Sequence, residues 1–239
     1  PQLHYQITTS SSNLSVTDID GNAETIDISE SGSNIQFYVP GRTYSFNNGT
    51  TTPLPFQTAI GPLNSVTCSA GVGADTIEVG AFATAMQFLI LNGGTGDDII
   101  RFNGDINFAA GESLNVDLQN DDATPGTDQV IFSANANLSL TGSASATIRA
   151  SRNILFNSGS SLVTANGSLV LEANLQTTPT TGTFACISIA GGLVQATGTG
   201  KLTIEGKGGT GLGAMHGVHV TSDGDIIGGT SGNNNITGR

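Results

Sequence analysis

The chain has 239 residues and carries 7 Lys and Arg against 19 Asp and Glu, a net charge of −12 with a pI near 4.2. That negative excess excludes nucleic acid and anionic membrane surfaces as partners and favours cations. Charged residues are only 11% of the chain, yet 37% hydrophobic residues, 33 Gly and a mean hydropathy of +0.03 describe a folded, turn-rich protein, not a disordered acidic tail.

Residues 3–8, 13–19, 25–29, 34–39 and 43–46 alternate apolar and polar side chains and are punctuated by Gly, Asn and Pro. Tight-turn chemistry at Asp20-Gly21-Asn22 and Pro40-Gly41-Arg42 makes them an antiparallel meander or cap over residues 1–62. Pro53, Pro55 and Pro62 exclude a central strand from residues 49–62, so a second unit is expected over 63–239. The longest apolar stretch, residues 81–91, is too short for a membrane helix and includes Thr84 and Gln87. The first residue is Pro1 and not Met, as in a processed product or an excised fragment, with any export signal outside the sequence.

From Ser65 onward the pattern is a run of apolar-x-apolar segments, among them 88–91, 114–118, 130–132, 154–156, 187–189 and 202–204, separated by Gly-, Asn- or Ser-rich corners. None has helical periodicity. Each segment places two side chains on one face, and the corners supply the positive φ that a coil needs to turn, so the expected fold is all-β, a parallel β-helix preceded by a small antiparallel region. A repeat supports it: Gly73-Ala-Asp75-Thr-Ile-Glu-Val79 aligns with Gly96-Asp-Asp98-Ile-Ile-Arg-Phe102 and Gly126-Thr-Asp128-Gln-Val-Ile-Phe132. The first two Asp are 23 residues apart and the next two 30, with residues 120–125 read as an insertion at a corner. A weaker relative, Glu24-Thr-Ile-Asp-Ile28, lies about two periods upstream of Asp75. With 23 residues per coil, Cys68 and Cys186 would be about five coils and ~24 Å apart, too far for a disulfide, and are expected as buried free thiols.

The segment Gly93-Gly94-Thr95-Gly96-Asp97-Asp98-Ile99-Ile100-Arg101 resembles the nonapeptide of haemolysin-type, repeats-in-toxin β-rolls at every defined position, and residues 70–78 match it with Ala70 for the first Gly. The resemblance implies Ca²⁺ held by Asp75 and Asp98 on successive coils, with Asp97 beside them, against a purely structural Asp turn as the alternative. Residues 151–173 and 191–206 resemble coils of filamentous-haemagglutinin-like, giant repetitive bacterial surface proteins. That likeness implies a right-handed parallel β-helix and an adhesive or fibre-forming role. Low Lys, few Cys and abundant Thr, Ser, Asn and Gly likewise resemble secreted surface proteins and point to an extracellular or cell-surface location.

Other motifs carry less. Arg101, Arg149, Arg152, Lys201 and Lys207 are the basic residues that a polysaccharide-cleaving β-helix enzyme would use, or else exposed strand charges. His216 and His219 have odd spacing, which on a strand puts them on opposite faces and suits a shared metal poorly, so they read as ordinary surface or corner residues. The run 208–213 looks nucleotide-like but no helix follows it, so it reads as a corner, and no organic cofactor is implied. A solenoid end exposes strand edges and an apolar cross-section, and residues 228–239 contain no hydrophobic cap. The expected role is therefore a non-catalytic structural or adhesive component that stacks end to end on itself or on neighbouring repeats, with surface polysaccharide as a further partner. The alternatives are a calcium-dependent binding module and an extracellular polysaccharide-acting enzyme.

Overall fold

The computed structural model describes residues 2–119, 126–211, 213, 215–230 and 233–239. The corner insertion read at 120–125 lies outside them, as do Leu212 of the glycine-rich run and Ser231 and Gly232 of the C-terminal stretch. Among the described residues every regular element is a strand, and no helix is long and apolar enough to cross a membrane.

At the N-terminal end, β1 (Tyr5–Ser10) and β2 (Asn13–Asp18) form a hairpin whose turn residues Ser11 and Ser12 have φ of 50° and 64°, the left-handed geometry that suits strand twist. A second hairpin, β3 (Thr25–Ser31) and β4 (Asn34–Tyr38), precedes β5 (Thr43–Phe46), β6 (Thr51–Pro53) and β7 (Phe56–Ala59). Six three-strand coils follow: β8 (Ser65–Ser69), β9 (Thr76–Val79) and β10 (Phe82–Met86); β11 (Phe88–Asn92), β12 (Ile99–Phe102) and β13 (Ile106–Phe108). The next are β14 (Leu114–Leu118), β15 (Gln129–Phe132) and β16 (Asn137–Leu140); β17 (Ala146–Ala150), β18 (Asn153–Phe156) and β19 (Ser161–Thr164). The last are β20 (Leu169–Ala173), β21 (Ile187–Ala190) and β22 (Leu193–Ala196), then β23 (Leu202–Gly206), β24 (Val218–Thr221) and β25 (Asp225–Ile227), with β26 (Asn235–Gly238) starting another layer.

The first strand of each coil joins one 11-stranded sheet, the second a 9-stranded sheet and the third a 6-stranded sheet, all parallel within the coils. This is a parallel β-helix with its antiparallel part at the N-terminal end. In the first sheet β2 to β26 make eight parallel strands, a rod of about 34 Å at ~4.8 Å per layer. The cap grows out of the same sheets: β2 pairs in parallel with β8 and β3 with β9, while β1 and β4 run antiparallel on their far sides. Pro53 lies in β6 at the outer edge of the first sheet, where its missing N–H costs no ladder bond. Glu30 covers the otherwise open edge of β10: its carboxylate accepts from the backbone N–H groups of Ala83 and Thr84.

Coil length is less regular than the repeat predicts. Along the column Val66, Leu89, Leu114, Ala146, Leu169 and Leu202 the steps are 23, 25, 32, 23 and 33 residues. Longer coils leave Cys68 and Cys186 four layers apart, both free and buried, with burial pushing each thiol up to about 12. Glu24, about two periods from Asp75 in sequence, lies in the adjacent layer, because the cap strands occupy the intervening residues (Thr25 pairs with Thr76).

Inward positions form continuous columns. Val16, Cys68, Leu91, Val116, Ile148, Leu171 and Ile204 stack through the first sheet, and Ile26, Ile77, Ile100, Val130, Ile154 and Ile187 through the second. Beside the latter, Phe132 is sandwiched between Phe102 and Phe156, with centroids at 5.0 and 4.2 Å. All three rings are essentially inaccessible. Removing the middle ring opens a cavity that two rigid layers cannot close, so Phe132→Ala is expected to cost about 3–5 kcal/mol, read as a lower urea midpoint, while Phe132→Leu costs markedly less.

Candidate functional site: a polar corner along the rod

The corner joining the first sheet to the second carries the residues that the glycine-aspartate repeat singles out. Asp75, Asp98 and Asp128 each stand one residue before β9, β12 and β15, and are only 1%, 2% and 2% exposed. Strand parity puts them there. Asp75 is in phase with Ile77 and Val79, and Asp98 with Ile100 and Phe102, so these carboxylates share the inward face with the core. Asp97, one residue out of phase, is exposed, and its Oδ1 accepts from the Thr127 N–H at 2.8 Å. The structure thus brings Asp75 and Asp98 together and sends Asp97 to the opposite side of the corner.

Inside, each carboxylate caps the backbone of the layer before it. Asp75 Oδ1 accepts from the Glu24 N–H at 2.8 Å, Asp98 Oδ1 from the Asp75 N–H at 2.8 Å, and Asp128 Oδ1 from the Asp98 N–H at 2.7 Å. Ser151 takes the next place: its Oγ accepts from the Asp128 N–H at 3.0 Å and bonds Asp128 Oδ2 at 2.7 Å. Beyond it, Gln176 Nε2 and Thr180 Oγ1 donate to the Ser151 carbonyl at 2.7 and 2.9 Å. The glycines serve the same stacking. Gly94 and Gly96 have φ of +98° and +136°, and a Cβ on either would come within 1.8 and 1.7 Å of the Gly71 and Gly73 carbonyl oxygens beneath.

The described donors of this corner are engaged with the backbone. Asp75 and Asp98 face the core with an oxygen each committed to an amide, and the Gly71 and Thr95 carbonyls accept from Thr95 and Gly73 N–H groups at 2.9 Å. A hard cation needs six to eight oxygens converging on one point, and among the described residues no group of three or more Asp, Glu, His or Cys converges in that way. The described carboxylate oxygens Asp75 Oδ1, Asp98 Oδ1 and Asp128 Oδ1 of this corner are arranged to hold backbone amides.

Toward the cap, acids accumulate. Asp18, in phase with Leu14 and Val16, is buried, and its Oδ1 accepts from the Asp20 N–H at 3.0 Å. Arg42 is ion-paired to Glu24 and lies 3.6 Å from Asp20, which also faces His4 at 3.6 Å; Tyr5 donates its hydroxyl to Glu24. Asp18 Oδ2 and Asp75 Oδ2 are buried without a hydrogen-bond partner among the described residues. Burial, aided by the neighbouring charges of Asp20 and Glu24, pushes Asp18 up to about 6. Burial, aided by Asp98, Asp18 and Glu24, pushes Asp75 up to about 7.

The remaining candidates lie apart. Arg101 pairs with Glu78 at 3.1 Å and Arg149 with Glu172 at 2.6 Å across adjacent strands on the outer surface, and Arg152 sits 5.3 Å over the Phe184 ring. His216 and His219 do not part as strand alternation predicts: their rings stack at 4.7 Å, because His216 precedes β24 and belongs to the corner.

The raised carboxyls fix a pH dependence. Both folded values exceed the ordinary carboxylate value, so the native state holds more protons than the unfolded chain between about pH 4 and 7. The contribution of these groups is complete below that range and is lost as pH rises through 6 and 7, at roughly 1.4 kcal/mol per unit of displacement. The melting temperature is expected to be several degrees lower at pH 8 than at pH 5 in calorimetry, and Asp75→Asn, which keeps an Oδ1 acceptor, to shrink the difference.

No family model matches the chain, and no curated protein or solved structure matches it.

Proposed function

We propose that this chain is a non-catalytic structural or adhesive component of a bacterial extracellular filament or cell-surface assembly, joined to its neighbour through the strand edges at its C-terminal end. The observation that carries this reading is the inequality of the two ends. At the N-terminal end, antiparallel strands cover β2 and β3, and Glu30 covers β10. At the other end β24, β25 and β26 are the outermost strands of their sheets, all parallel to the layers below. Three aliphatic side chains accompany them: Val220, Ile227 and Ile236, 43%, 43% and 51% exposed. Edges of this kind accept another strand, and the parallel layers beneath define its register. The occupant is a further β-layer, from another copy or from a neighbouring repeat of a longer chain.

Sedimentation velocity over a hundredfold concentration range, with negative-stain electron microscopy, tests the reading. Rods longer than one chain are expected to appear as concentration rises. Ile236→Lys, which puts a charge on the outermost strand, is expected to abolish them without altering the circular dichroism. A single sedimenting species with isolated short rods at every concentration would overturn the joining of separate copies and leave only a neighbouring repeat of a longer chain as the occupant.

A further inference from the structure

The three corners of the coil differ in how much length they tolerate. From the second sheet to the third, the linking segments run from 2 residues (80–81) to 4 (133–136). From the third back to the first they run from 1 residue (87) to 7 (228–234). From the first to the second they run from 2 (151–152) to 13 (174–186), with 6, 6, 10 and 11 at 70–75, 93–98, 119–128 and 207–217. The widest variation thus falls on the corner that bears the buried carboxylates. Register beyond it nevertheless holds without a slip: Ile77, Ile100, Val130, Ile154 and Ile187 remain opposite one another.

A corner that varies in length cannot itself fix where the next strand begins, and a slip of one residue would turn the Asp-x-Ile-x-Val face outward. What is constant in the layers of β9, β12 and β15 is an inward oxygen one residue ahead of the strand, at 2.7–2.8 Å from an amide in the layer before. The short 151–152 corner keeps an acceptor through Ser151. The 13-residue corner folds Gln176 and Thr180 back into the same column, where the Thr180 hydroxyl lies 2.9 Å from both the Ser151 and the Gly126 carbonyl oxygens.

We propose that this column is a register clasp, and that the glycine-aspartate nonapeptide serves in this chain to lock one coil to the previous one in place of binding calcium. The carboxylate acts as a fixed acceptor for an amide that a loop of arbitrary length would leave buried and unpaired. Glycine backbones let the corners approach closely enough for it to reach.

The test uses the full chain with Asp98→Ala, Asp98→Asn and Ser151→Ala, melted in calcium and in chelator, with amide exchange followed at Asp75 and Asp128. Asp98→Ala is expected to lower the melting temperature by about 5 °C or more and to speed Asp75 amide exchange about tenfold or more. Asp98→Asn, which retains Oδ1, should stay close to the parent in both readouts. If Asp98→Ala does not fold, Ser151→Ala provides the equivalent reading at the Asp128 amide. Melting of the parent chain should be the same with calcium and with chelator. A calcium-dependent rise that Asp98→Asn removes would overturn the proposal, as would an Asp98→Asn chain as damaged as Asp98→Ala.

Discussion

Stacked parallel coils must keep the spacing of a β-ladder, about 4.8 Å, even where the chain turns and no ladder exists. Along the strands, backbone hydrogen bonds meet that requirement automatically. At the corners it falls to particular residues, and here it is met by glycines that leave room for the carbonyls beneath them and by carboxylates reaching one layer back. The aliphatic columns and the three-ring phenylalanine stack are aligned only because the corners deliver each strand in phase.

The arrangement has an electrostatic cost that is unevenly distributed. Asp18, Glu24, Asp75, Asp98 and Asp128 are all buried, while Arg42 is paired with Glu24 near the cap. At Ser151 a hydroxyl accepts the amide without charge, and beyond it Gln176 donates its side-chain amide to the Ser151 carbonyl. Asp18 and Asp75, two carboxyls that burial pushes up, lie toward the N-terminal end, where the fold changes from antiparallel to parallel pairing.

Much of this was legible in the residues. Apolar-x-apolar spacing gives the strands of the coils, and the alignment of Asp75, Asp98 and Asp128 matches the observed register, since Thr76, Ile99 and Gln129 are in-line partners. Parity also carries the inward position of Asp75 and Asp98, because each is two residues from an inward Ile. Ser151 could not be found from the repeat, because a serine can replace the acceptor without resembling an aspartate in sequence. Coil length was hidden for another reason: loops of different size at one corner break the period while leaving the strands untouched. The pairing of Glu24 with Asp75 depends on a cap inserted between adjacent layers, which sequence separation does not reveal.

The direction of the capping bonds imposes an order in time. Each of the four inward amides of the column is satisfied by a side chain that lies later in the chain: Glu24 by Asp75, Asp75 by Asp98, Asp98 by Asp128 and Asp128 by Ser151. A chain leaving a ribosome or a secretion pore N-terminus first would therefore hold one unfinished layer at its growing front, sealed only when the following coil emerges. In such vectorial folding each completed turn would offer its open amide to the acceptor of the turn still to come.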